Sequence, residues 1–391
     1  MKHRKYGRLF YAFALFLSVS LFLNAAVFSV SAETTAAKMP QVEAKSAILM
    51  EASTGRILGE QNADEALPPA SVTKVMTLLL VMEALDSGKI ALSDMVQASA
   101  NAASMGGSQI YLKEGELMSV EDLIKSVVIA SANDAAVALA EYIAGSEEAF
   151  IAQMNTRAAE LGMKNTVFEN TNGLDDSVNQ HLTSARDIAI MSRALISHPK
   201  IFDYTTIWMD TIRDGSFGLT NTNRLIRFYR GATGLKTGST SRAGFCISAT
   251  AERDGMHLIA VIMGSPSRDT RNEAAKSLLD WGFANYAVYS HTPDTLEPIY
   301  VAGGESSFCT IRCDTFSTVL TKGSEGKVEY EIFLPEYAAA PLHEGDRIGE
   351  IIYRCDGEEI GRTDIVCAET IKKIGFGGLF VKILRSAILS A

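Results

Sequence analysis

Histidine is scarce: there are six in 391 residues. Those in the body of the chain, His181, His198, His257, His291 and His343, are scattered and form neither a metal-ligand pair nor a Ser-His arrangement. A serine–histidine triad and the histidine-containing zinc motifs therefore have no foothold, and the late cysteines lack the repeated spacing that a zinc site favours. Positive charge is also short, with 36 Lys and Arg against 46 Asp and Glu and a net charge of −10. Such a chain is a poor nucleic-acid partner, so any local cluster of cations needs a specific reason. No repeat or low-complexity block is present. The five cysteines are unevenly spread, Cys246 alone and Cys309, Cys313, Cys355 and Cys367 grouped late. Four cysteines allow three pairings, and the sequence neither chooses among them nor excludes free thiols.

The two ends differ from the body. Lys2, Arg4, Lys5 and Arg8 precede an apolar run, Leu9 to Val30, that closes on Val30-Ser31-Ala32. Small residues at that point read as a signal-peptidase site, so residues 1–32 are expected to be a secretory signal peptide. An uncleaved membrane anchor is the rival reading. Removing four cations leaves 32 Lys and Arg against 46 acids. At the other end, residues 368–391 mix apolar residues with Lys372, Lys373, Lys382 and Arg385. Leu379, Val381, Leu384 and Ile388 recur at helical spacing. This predicts an amphipathic helix lying on the cytoplasmic membrane surface rather than crossing it.

Between the ends, residues 33–45 read as a tether. Ser46 to Met50 and Arg56 to Glu60 read as strands, and Ser71 to Leu85 as a helix ending at Ser87-Gly88. Helical patterns fill residues 121–163 and 183–196. Three strand patterns follow between Leu235 and Met263, then a helix to Tyr286. Strands, helices, then strands again predict an α+β catalytic domain over 46–290, with an antiparallel sheet and a helical subdomain. Short strands with Gly and Asp turns predict a small all-β domain over 296–367.

Ser71-Val72-Thr73-Lys74 places a hydroxyl and an amine on one face at a helix start. The positive end of the helix dipole disfavours a cation there, which should push the Lys74 pKa down. A neutral lysine beside a hydroxyl is a general base beside a nucleophile. The spacing alone is weak, since Ser324 and Lys327 share it. Lys236-Thr237-Gly238 lies on a predicted strand, where a cation and a hydroxyl suit a peptide's terminal carboxylate and Gly238 allows close backbone approach. A Ser-x-Asn turn occurs at Ser99, Ser131 and Ser177. Only Ser131-Ala132-Asn133 sits between two strong helix patterns, so Ser131 and Asn133 are the candidates.

These three elements, in this order, resemble the D-alanyl-D-alanine carboxypeptidases of the low-molecular-mass penicillin-binding protein family, within the β-lactamase/transpeptidase-like superfamily. Flanking residues agree: Pro69-Ala70, Met76-Thr77, Asn172-Gly173-Leu174, Ser184-Ala185-Arg186-Asp187, Asn221-Thr222-Asn223 and Gly231 to Leu235. The resemblance spans roughly residues 40–290. It implies attack by Ser71 on the bond between two D-alanines of a peptidoglycan stem peptide, with Lys74 as base and Ser131 as proton relay. It implies that Asn133 holds the substrate amide and that Lys236, Thr237 and Arg271 meet the carboxylate, Arg268 being a near rival. The N–H groups of Ser71 and Ser239 would form the oxyanion hole. Ser239 departs from the histidine the family often carries there. β-Lactams are the expected covalent inhibitors, and no cofactor or metal is implied.

Two alternatives remain open at this point. One is a serine β-lactamase, although no Glu-x-x-Leu-Asn segment lies between Asn133 and Lys236. The other is a wall-binding module that keeps the fold without the chemistry.

Overall fold

Strand alternation decides which residues face which side of the central sheet. The computed structural model describes residues 38–175 and 178–389. The expected signal peptide, the first part of the tether and Ser177 lie outside the described residues, as do the side chains of Lys382, Leu384 and Arg385. Five antiparallel strands, β1 (Ser46–Glu51), β2 (Ile57–Gln61), β3 (Ala232–Thr240), β4 (Gly244–Arg253) and β5 (Met256–Ser265), pair in the order β2-β1-β5-β4-β3. Ile48 and Met50 of β1, with Ile259, Val261 and Met263 of β5, enter one core. Their neighbours Ala47, Leu49, Leu258, Ala260 and Ile262 enter another on the opposite face. A strand whose two faces are both apolar must be covered on both sides.

Helices supply that cover. On the first face lie α1 (Lys74–Asp86), α2 (Asn133–Ala144) and α3 (Ala185–Ile196). Helix α1 is buried on nearly every side, from Val75 through Met82, as its unbroken apolar run requires. On the opposite face α4 (Arg268–Asn285) lays down Ala274, Ala275, Leu278, Leu279 and Phe283. The expected α+β architecture is therefore present, with β3 at an open sheet edge.

The tether reading is corrected in part. Met39, Val42 and Ala44 pack against the second core. The Gln61 amide donates to the carbonyls of Val42 (3.2 Å) and Ala44 (2.9 Å), and Lys45 N donates to Met263 O at 3.0 Å. The segment looks polar and small in sequence, but a side-chain amide from β2 satisfies its backbone.

After α4 the chain builds a β domain from β6 (Tyr286–His291), β7 (Phe308–Cys309), β8 (Ile311–Cys313), β9 (Phe316–Thr321), β10 (Val328–Phe333), β11 (Arg347–Cys355) and β12 (Glu358–Cys367), with a strand over Ile299–Ala302 that pairs with β7 and a two-residue piece at Ala338–Ala339. Strands β6 and β9 pair, and the larger sheet runs β8-β12-β11-β10. It has its own core, in which the Phe316 and Tyr353 rings stack at 4.0 Å. Because β6 begins directly at the end of α4 and pairs with β9, the boundary expected at residue 290 falls inside a strand. Helix α5 (Phe376–Leu389) ends the described chain with Phe376, Leu379, Phe380, Val381 and Ile388 exposed. Among the described residues no helix is long and apolar enough to cross a membrane.

Candidate active site

Ser71 does not sit in the first α-helical turn but in a tighter 3-10 turn, Ala70–Thr73, that feeds α1. Ala70 holds a left-handed φ of +48°, costly for a residue with a Cβ. Several contacts enforce it. His181 Nδ1 accepts from Glu169 N at 2.9 Å, so its proton is on Nε2, 2.7 Å from Thr73 Oγ1. Thr73 Oγ1 in turn donates to Ala70 O at 2.8 Å. Two glycines let the backbone press against this turn. A Cβ on Gly173 would lie 1.8 Å from Ala70 O, and one on Gly238 would lie 2.7 Å from Ser71 N. The sequence reading reserved Gly238 for ligand approach; its observed neighbour is the backbone of Ser71 and Val72.

Burial holds the His181 pKa down at about 4, against an ordinary value of 6.5. The folded protein thus binds fewer protons than the unfolded chain between those values, and stability falls as pH drops from about 6.5 to 4. The full shift amounts to roughly 3 kcal/mol. Replacing this group by an amide, His181→Gln, is expected to flatten that part of the curve, read as urea midpoints at pH 6.5 and 4.5 for both proteins.

Lys74 is the centre of the arrangement and is fully buried. Its Nζ lies 3.0 Å from Ser71 Oγ, 2.6 Å from Asn133 Oδ1 and 2.7 Å from Asn172 O. The last two partners can only accept. A neutral amine gives one N–H to each and turns its lone pair to the serine hydroxyl. Burial, and then the nearby Lys236 charge, hold the Lys74 pKa well below its ordinary value. The cause is thus mainly desolvation, not the helix dipole expected from sequence.

Ser131 ends a π-helical turn, Ser126–Ala130, with a left-handed φ of +63°. The strained bend turns the chain into α2 and places Ser131 on the cleft wall. Asn133 donates from Nδ2 to Gly106 O at 2.7 Å, which uses one of its two amide hydrogens. Asp134, buried beside it, accepts from the N–H groups of Ile110 and Leu112 and pins the opposite loop.

Strand β3 brings the third element. Lys236 is buried, donates to Thr237 O at 3.1 Å, and is pushed down to about 7 by burial and the Arg271 charge. Thr237 Oγ1 lies 2.9 Å from Thr222 Oγ1. Arg271 is buried and donates to Asn272 Oδ1 and Cys246 O. Ser71, Ser131, Thr237, Gly238, Ser239, Arg268 and Arg271 line one cavity of about 690 Å³; Lys74, Asn133 and Lys236 are buried around it. Both arginines therefore face the cavity.

The competing motifs separate cleanly. Ser99 caps a short helix by accepting from Ala102 N at 2.9 Å. Lys327 pairs with Asp356 at 2.9 Å on the β domain surface. Cys246 is core, its thiol pushed up to about 11 by burial. Sequence reading missed the roles of Asn172 O, Asp134, Thr222 and Gly173. The Asn172-Gly173 pair, a turn dipeptide, was the available signal for two of them. Trp208 and Phe228, packed edge to face at 6.0 Å on the cavity rim, had no such signal.

This arrangement can acylate and deacylate one serine: a hydroxyl, a buried amine whose pKa is held down, a second hydroxyl and a cationic pocket converge on an open strand edge. The comparisons with known proteins agree. A family profile described as D-alanyl-D-alanine carboxypeptidase matches residues 33–267, and one described as the C-terminal domain of penicillin-binding protein 5 matches residues 294–373. The D-alanyl-D-alanine carboxypeptidase DacF of Bacillus subtilis (strain 168) is 42% identical over 85% of this chain and 87% of its own length. Penicillin-binding protein 5 from Haemophilus influenzae superposes with a TM-score of 0.76 at 32% identity, covering 86% of this chain and 100% of that one. Penicillin-binding protein D2 from Listeria monocytogenes, solved in an ampicillin-bound form, gives a TM-score of 0.58 at 32% identity over 62% of this chain and 100% of that one. With the family profile spanning more than half of the sequence and the fold matching along both domains, the chain belongs to the D-alanyl-D-alanine carboxypeptidase family.

Proposed function

We propose that this enzyme removes the terminal D-alanine from peptidoglycan stem pentapeptides through an acyl-enzyme on Ser71. Lys74 takes the Ser71 proton as Oγ attacks the penultimate D-alanyl carbonyl. The N–H groups of Ser71 and Ser239 stabilise the oxyanion. Ser131 passes a proton to the leaving amine, and Asn133 holds the substrate amide. Lys236, Thr237 and Arg271 meet the terminal carboxylate. Water then releases the shortened peptide. The observation that carries this reading is the 3.0 Å approach of a buried, two-acceptor-bound Lys74 amine to Ser71 Oγ.

The β-lactamase reading is disfavoured because no carboxylate is among the described residues lining the cleft. A penicillin acyl-enzyme should therefore persist. The test is to mix the protein with benzylpenicillin, digest it and locate the adduct by mass spectrometry, and separately to measure D-alanine released from a pentapeptide. An adduct on Ser71 that lasts many minutes, with D-alanine release, is the expected pair. Rapid turnover of penicillin would favour the lactamase, and neither reaction would favour a wall-binding module.

The same reading places the protein outside the cell. Export is supported by the basic and apolar N-terminal sequence. Peripheral attachment to the outer face of the cytoplasmic membrane is supported by the exposed apolar residues of α5 beside Lys372 and Lys373. Vesicles of anionic lipid should retain the full chain and release one cut before residue 368.

A further inference from the structure

The sulfurs of Cys309 and Cys367 are 3.3 Å apart, although the residues are 58 positions apart in sequence. Both are fully buried in the β domain core. Backbone contacts set this juxtaposition independently of the sulfurs. Cys309 on β7 lies opposite Ile299 of the antiparallel strand Ile299–Ala302, and Cys367 on β12 lies opposite Ile311 on β8. Ala368 N donates to Thr310 O at 2.9 Å, and Thr310 N donates to Glu369 Oε1 at 3.0 Å.

The other two late cysteines are excluded by register. Cys313 lies opposite Ile365 on β12, and Ile365 lies opposite Gly349 on β11. Cys355 is six residues further along β11, about 20 Å at the usual strand rise. Cys355 instead lies opposite Glu358, at the far end of β12 from Cys367.

We infer that Cys309 and Cys367 are a disulfide site, oxidised when the chain folds in an oxidising compartment outside the cytoplasm. In that step each thiol loses its hydrogen and one S–S bond forms. Two electrons and two protons pass to a dithiol–disulfide exchange partner, whose own S–S bond becomes two thiols. Exchange requires a thiolate, and burial with the neighbouring Cys309 pushes the Cys367 thiol up to about 12. The bond therefore forms before the core closes around it, and once closed it is shielded from reductant. It ties the first strands of the β domain to the end of β12, where the chain leaves toward α5.

The full chain would be exported to the oxidising periplasm of a Gram-negative host. Acid quenching, denaturation without reductant and alkylation with N-ethylmaleimide would follow. Of the five cysteines, three should be alkylated, and the intact mass should be lower by about 2 Da than alkylation alone predicts. Digestion should yield one linked peptide containing Cys309 and Cys367. Alkylation of all five, or a link between any other pair, overturns the proposal. As a check that needs no variant, a urea titration followed by circular dichroism should have its midpoint lowered by a reductant present throughout. Coincident curves would also overturn it.

Discussion

Ser71→Ala is expected to abolish the penicillin adduct and to lower D-alanine release by roughly 10⁴-fold or more. The size follows from chemistry: without Oγ there is no acyl-enzyme, and only binding and oxyanion stabilisation remain. The effect can be separated from misfolding. Among the described residues the Ser71 hydroxyl is hydrogen-bonded to Lys74 Nζ, so its loss costs about 1 kcal/mol. The turn that carries it is held by Ala70, Thr73 and His181, none of which is altered. The variant should therefore melt within a few degrees of the parent while showing no adduct by mass spectrometry. An adduct at another serine, or undiminished hydrolysis, would remove Ser71 from the proposed role.

Lys74→Met is expected to slow acylation by roughly 10²–10⁴-fold, the usual worth of a positioned general base. Methionine fills similar space but leaves the serine proton without an acceptor. Lys74→Arg should do no better, because a guanidinium keeps its charge. The pH profile distinguishes a base from a merely structural lysine. Acylation should fall on the acid side as Lys74 takes up a proton. Because burial and Lys236 hold the Lys74 pKa well below 10.5, that limb lies far to the acid side of an ordinary lysine. Removing the neighbouring charge, as in Lys236→Met, lets the Lys74 pKa rise. The amine is then protonated at higher pH, and the acid limb should move toward alkaline pH. Second-order acylation rates with a fluorescent penicillin, measured across pH for both proteins, read this directly. A limb that stays in place would mean that another group titrates.

Much of this site was legible in the chain because its parts are local. Ser71 and Lys74 are three residues apart, and Lys236-Thr237-Gly238 lies on one strand whose alternation is plain. The sheet was legible for the same reason, since Ile48, Met50, Ala47 and Leu49 sort themselves by period. What was not legible depends on distant segments. Nothing near Lys74 in sequence announces that Asn133 and Asn172, 59 and 98 residues away, will close over it. The lowered pKa was thus assigned to the helix start, when removal from water is the larger cause. The docking of residues 39–45 was hidden in the same way, because the Gln61 amide that satisfies it belongs to another strand. The role of Gly173 emerges only once it is seen against Ala70.

The long reach of the Lys74 contacts has one more consequence. In a nascent or unfolded polypeptide this lysine is an ordinary solvated ammonium ion, useless for activating an alcohol. On the proposed mechanism, acylation by a β-lactam therefore requires completed tertiary structure, and an unfolded chain is expected to be chemically silent. Labelling with a fluorescent penicillin accordingly counts matured molecules in a population, whatever the total amount of chain present.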